Sequence, residues 1–225
     1  MEPTGFHQAL TSDALAMARN VLWVVHFVGL AVGVGAATIL DLVILRLFMV
    51  GRITRQNCDL MRVCSRIVIV GLGLLWCSGM GLLALHAIAD PDKLTNDRVW
   101  AKMAIVLILT INALLVHTRI LPFLIHQTGK TPLQDLSLIR RHVYLTSGVV
   151  SVVSWNAPVV IANLTHLSFE VPMLQILQVY VMVLVGMLTL SHMTFAARSP
   201  RTKARSKPNL YEPRVVAPLF PRARD

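Results

Sequence analysis

The sequence predicts an all-α membrane protein: a bundle of five transmembrane helices, N-terminus outside and C-terminus cytoplasmic. Three observations carry that prediction. First, of the 225 residues 55% are hydrophobic and only 14% charged, with a mean hydropathy of +0.65. A soluble domain of this length would show polar faces on most of its helices. Second, the apolar residues collect in five runs, about 21–49, 67–88, 99–125, 144–163 and 173–196. Each is near the ~20 residues that cross a bilayer core. No water is available at that depth, so each run must satisfy its own backbone, which makes it a helix. Third, Lys and Arg are distributed unevenly. The connection after the first run holds Arg52, Arg55, Arg62 and Arg66 against Asp59, and the third holds Lys130, Arg140 and Arg141 against Asp135. The second holds Asp90, Asp92 and Asp97 against Lys93 and Arg98, and the fourth holds Glu170 alone. Cytoplasmic loops carry the excess of basic residues, so connections one and three lie inside. Five spans then put the N-terminus outside.

Residues 1–20 read as an amphipathic lead-in, with Ser12 or Asp13 as a cap for a helix that runs on into the first span. They lack the basic start and small-residue cleavage site of a signal peptide, and the following apolar run is too long for one. Residues 21–197 form the membrane domain. Within it, Gly29 and Gly33 on the first span, and Gly71, Gly73, Gly79 and Gly81 on the second, leave thin faces for close helix approach or for a flat cofactor. Gly129 to Pro132 breaks the chain after the third span, and 133–142 reads as a short helix leading into the fourth. That span carries Ser147, Ser151 and Ser154 at helical spacing, then Asn156 and Pro158. Pro158 removes a backbone donor and predicts a kink, with Ser154 or Asn156 placed to satisfy the freed carbonyl. Residues 198–225 form a basic tail, with Arg198, Arg201, Lys203, Arg205, Lys207, Arg214, Arg222 and Arg224 against Glu212 and Asp225. It is punctuated by Pro and has no apolar period, so disorder is expected. Its charge reads as a topology signal and a contact for anionic lipid, with no nucleic-acid partner.

Polar residues inside the runs are fewer and more informative. His26 and Asp41 lie 15 residues apart on the first span, and Lys102 and His117 lie 15 apart on the third. Gln178 and His192 lie 14 apart on the fifth. Fifteen residues leave a net rotation of about 60° and a rise of about 22 Å, so each pair shares roughly one face at two depths. The three spans run in the same direction. They therefore define an outer layer (His26, Lys102, Gln178) and an inner layer (Asp41, His117, His192), with His86 near the first and His142 near the second. Ionisable groups at membrane depth are costly and mark functional sites.

Three readings stay open. Imidazoles on facing helices are the ligands of b-type haem in helical bundles. His26 with Lys102 or His86 would hold an outer haem, and His117 with His192 an inner one. Two such haems would carry electrons across the bilayer to a redox partner. Alternatively, His26, His117 and His192 bind a metal such as copper, with Met193 beside His192 as a soft donor. In that reading Asp41, with Asn112, Asn156 and Gln178 as polar support, carries a proton or ion along a path. Finally, the histidines are helix-to-helix hydrogen bonds, Lys102 snorkels to the interface beside Trp100 and Trp23, and the chain is an accessory subunit or homo-oligomer. No Ser/His/Asp set, phosphate loop or zinc signature occurs. Cys58, Cys64 and Cys77 form no paired motif.

The segments VHFVGLAVGVGAATILDLVILRLFMVGRITRQ, SRIVIVGLGLLWCSGMGLL and WAKMAIVLILTINALLVH resemble a group of functionally unassigned bacterial multi-spanning membrane proteins over residues 21–125. That resemblance implies a bacterial inner membrane. His26 and the Trp100/Lys102 pair are also similar to the membrane-type protoporphyrinogen oxidase family, where they imply a haem ligand pair. This chain has Asp41 and Arg46 in place of that family's Pro-Arg after the first His. Lys102, Asn112 and Pro122 follow the order of a Lys, an Asn and a Pro in the copper-resistance D family, which implies a copper-linked role.

Overall fold

The computed structural model describes residues 3–50, 53–129, 138–164 and 171–198. They are helical almost throughout, and no strand occurs among them. Five stretches are long and apolar enough to cross a membrane: Asp13–Leu47, Arg55–Ala89, Asp97–His126, Ile139–Asn163 and Met173–Ala196. This is a multi-pass membrane protein. The predicted helix over 133–142 falls partly, and the tail from Ser199 wholly, outside the described residues.

Helix α1 (Pro3–Val50) is one rod of 48 residues, about 72 Å long at 1.5 Å per residue. The lead-in is therefore continuous with the first span. The helix starts at Pro3, not at a cap on Ser12 or Asp13, because no Gly or Pro interrupts it between Gly5 and Gly29. Helix α2 (Arg55–Ala89) likewise starts before its apolar run. The Thr54 hydroxyl accepts the Asn57 N–H at 3.2 Å, satisfying one of the amides that a helix start leaves free. The first connection is correspondingly short. Arg62 and Arg66 ride on the exposed flank of α2, with Arg62 paired to Asp59 at 2.9 Å.

A 3₁₀ turn (Pro91–Thr95) leads into α3 (Asp97–Leu115), whose first turn is capped by Asn96 accepting the Arg98 N–H at 3.0 Å. A π turn (Val116–Ile120) joins α3 to α4 (Leu121–His126) without a break. Pro122 supplies the reason. It has no N–H, and its ring excludes the carbonyl four residues back, that of Thr118. The backbone widens ahead of it, and Leu121 N–H reaches the Val116 carbonyl, five residues back. Gly129 follows with φ +90° and donates its N–H to the Ile53 carbonyl at 2.9 Å. That φ favours glycine, and the bond pins the end of α4 to the connection between α1 and α2. Helix α5 (Leu138–Asn163) contains Pro158, and α6 (Met173–Arg198) closes the described chain.

α1 lies along α2, α3 packs on α5, and α6 rests on α5. The glycine faces explain the first contact. A Cβ on Gly71 would stand 2.8 Å from Gly33 Cα and 3.0 Å from the Gly29 carbonyl oxygen, so the two backbones are in direct contact. A Cβ on Gly33 would run into the Trp155 ring. The thin faces are thus filled by helix against helix. Gly73 and Gly35 point to open space instead. The core is layered along the bundle. Ala36, Ala37, Leu72, Leu75, Leu109 and Trp155 fill the middle, and Leu40, Met61, Cys64, Ile120, Leu124 and Tyr144 fill the end near the α1–α2 connection. α6 is the outlier, with only 6% of its most apolar stretch buried against 28–33% for the other spans.

Candidate intramembrane polar site

Four helices each contribute one polar residue to a single small cavity. Asp41 from α1, Ser65 from α2, Asn112 from α3 and Ser151 from α5 line a pocket of about 20 Å³, together with Ala37, Leu40, Val68, Leu109, Ala113, Val116 and Trp155. Ser65, Asn112 and Ser151 are buried. Ser151 and the Asp41 carboxyl face the same cavity. Asn112 is fixed from two sides: its amide N–H donates to the Ser147 carbonyl at 3.0 Å and its amide oxygen accepts the Ser147 hydroxyl at 2.9 Å. A cavity of this volume with several polar partners has room for one water molecule.

His117 joins this cluster from outside the cavity wall. Its Nδ1 lies 2.8 Å from the Ser65 hydroxyl, and it sits on the π turn that Pro122 induces. Such turns are frequent at functional sites, because they place a side chain off the regular helical register. Asp41 has a second exposure. It also lines an elongated groove of about 270 Å³ with Thr38, Leu45, Tyr144, Ser147, Met187 and Ser191, between α1, α5 and α6. The carboxyl therefore stands between a small polar pocket on one side and a mostly apolar groove on the other.

The other level is separate. His26 Nδ1 lies 2.9 Å from the Ser78 hydroxyl, and Ser78 donates its only proton to the Leu74 carbonyl at 2.6 Å. The hydroxyl therefore accepts from His26, which fixes the Nδ1–H tautomer and leaves a lone pair on Nε2. The half-buried Lys102 lies within electrostatic reach of this ring. Trp23 packs edge-on against it at 5.9 Å, and Trp100 donates to the Leu94 carbonyl at 2.8 Å.

The two predicted layers thus come together only in part. Asp41 and His117 meet through the cavity and Ser65. His192 contacts α5 instead: its Nδ1 is 3.0 Å from Nδ1 of His142, and its Nε2 is 3.4 Å from the Thr146 hydroxyl. Gln178 and Asn156 are exposed, and Asn156 bonds the Val152 carbonyl of its own helix at 2.8 Å. The Ser154 hydroxyl is taken by Tyr180 at 2.8 Å. Neither side chain is thereby directed at the carbonyl that Pro158 frees. His86 sits on the last turn of α2, among Asp90, Lys93 and Arg19.

A bis-imidazole haem fits these positions poorly. His117 and His192, the inner pair, are held by different partners, His117 by Ser65 of α2 and His192 by His142 of α5. The two imidazoles in mutual contact, His142 and His192, stand 3.0 Å apart at Nδ1. Two trans ligands with metal–nitrogen bonds of about 2 Å need about 4 Å. A cavity of about 640 Å³ between α5 and α6 is lined by Arg98, Asn156, Gln175, Tyr180 and apolar residues, with no histidine.

The partners that spacing did not reveal are Ser65 and Ser78. They lie thirteen residues apart on α2 and meet one histidine each. Serine is common at membrane depth, where small residues let helices approach, so only their offset, close to that of the polar pairs, could have singled them out.

No family model, no curated protein and no solved structure matches this chain.

Proposed function

We propose that this protein binds and passes protons at an intramembrane carboxyl, Asp41, as a proton-coupled carrier does. The observation that carries the reading is the convergence of Asp41, Ser65, Asn112 and Ser151 from four helices on one water-sized cavity, with His117 bonded to Ser65. Intramembrane ionisable groups that face a cavity are the working parts of proton relays. An imidazole next to such a relay can accept a proton on one ring nitrogen and release one from the other.

The chemistry follows from the order of the groups. Asp41 takes a proton from the groove side and gives it to water in the cavity. That water passes a proton to Ser65, which hands its own hydroxyl proton to His117 Nδ1. His117 then releases the proton on Nε2, and the ring returns to its Nε2–H tautomer by proton exchange with solvent before the next proton arrives. Each step moves one proton between oxygen or nitrogen atoms and leaves no net charge on serine. The Lys/Arg bias of connections one and three supports a cytoplasmic position for the His117 end and an external N-terminus. A bacterial inner membrane fits that arrangement.

Infrared titration of the protein in lipid tests the reading at the residue. A protonated-carboxyl band is expected to grow and fade with pH in the wild type and to be missing from Asp41→Asn. An unchanged spectrum in that variant would remove Asp41 as the proton site.

A further inference from the structure

α6 is held to α5 by two polar rungs. Tyr180 meets Ser154, and twelve residues along each antiparallel helix His192 meets His142. The first rung is buried, while His142 is exposed and His192 half-buried, near the ends of their helices. The second rung is open at the surface of the bundle, where the first is closed. We propose that His142 and His192 form a two-imidazole site for a divalent first-row ion, Cu²⁺ or Zn²⁺, which clips α6 to α5.

Geometry makes the case. Two metal–nitrogen bonds of about 2.0–2.1 Å at a tetrahedral angle place the donor nitrogens about 3.3 Å apart. The two Nδ1 atoms already stand at 3.0 Å, with ring centroids at 4.8 Å and planes tilted by 47°. A spread of a few tenths of an ångström, with a tilt of the two rings that turns both lone pairs onto one point, admits the ion. One tautomer pair already suits the ion. When His192 directs Nε2–H at the Thr146 hydroxyl, 3.4 Å away, its Nδ1 carries a lone pair. His142 then donates Nδ1–H to it. Metal entry requires only that His142 move this proton to its own Nε2 through solvent, so a neutral pair releases no net proton. Thr146 plays the orienting part that outer-shell partners of metal-bound imidazoles play. The nearby Arg140 is drawn aside, its guanidinium 4.6 Å above the Phe123 ring. Water completes the coordination. Ser191, beside His192, lines the groove that reaches Asp41, so an ion here would stiffen the wall of that groove.

Calorimetric titration of the full chain in detergent with Cu²⁺ or Zn²⁺ alone tests the site without reference to proton movement. One equivalent is expected, with Cu²⁺ held more tightly than Zn²⁺. His142→Ala and His192→Ala should each weaken binding roughly tenfold or more, while His26→Ala and His117→Ala should leave it unchanged. Electron paramagnetic resonance of the Cu²⁺-loaded wild type needs no variant and should report two coordinated imidazole nitrogens. Equal affinity in His142→Ala, or any other nitrogen count, overturns the assignment.

Discussion

The Ser65 hydroxyl and His117 Nδ1 stand 2.8 Å apart, joining the middle of α2 to the π turn of the third span. The link makes the imidazole part of the Asp41 cluster, since Ser65 forms a wall of the Asp41 cavity. Replacing Ser65 by Ala leaves the ring without this partner. Nitrogen NMR of ¹⁵N-histidine should show the His117 resonances change tautomer balance while those of His26, bonded to Ser78, stay in place. Proton passage should fall severalfold, and a His117 spectrum indifferent to the substitution would break the proposed link.

Gly71 is where α1 and α2 come closest. A methyl group there has nowhere to go except into the backbone of Gly33 and Gly29, and overpacking of this kind costs about 1–3 kcal/mol. Gly71→Ala should lower the thermal midpoint in detergent. Gly35→Ala meets no atom within 4 Å and should be neutral or stabilising by up to about 1 kcal/mol, through reduced backbone freedom alone. Equal destabilisation by both would contradict the close-approach account.

Ser154 and Tyr180 form the buried rung of the α5–α6 contact. Ser154→Ala strands the tyrosine hydroxyl, at a cost of about 1–3 kcal/mol. With so little of α6 buried, the loss should appear as faster hydrogen exchange in α6 and little change in α2. Uniform loss of protection along the chain would show that α6 is not an independently loosened helix.

Much of the architecture was legible in the amino-acid order. All five spans sit where apolar runs put them, because run length alone separates a spanning helix from its surroundings. Their polar ends were not legible. Arg62 and Arg66 read as loop residues, yet a helix can carry arginine on an exposed flank, and Thr54 starts α2 well before the apolar run. The site was half legible. His26, Asp41 and His117 stand out because charge or imidazole at membrane depth is rare. The serines bonded to the two histidines did not, because Ser65 and Ser78 also read as ordinary small packing residues. Periodicity gives the face of a helix, not which neighbour that face meets. His192 therefore shares a layer with His117 in the spacing, but meets His142 once α6 settles on α5.

The most direct test is proton uptake into vesicles holding the purified protein under an imposed pH gradient. The wild type should dissipate the gradient well above the rate of empty vesicles, and Asp41→Asn should fall to that background while keeping its fold. An Asp41→Asn variant that carries protons as fast as the wild type would contradict the account.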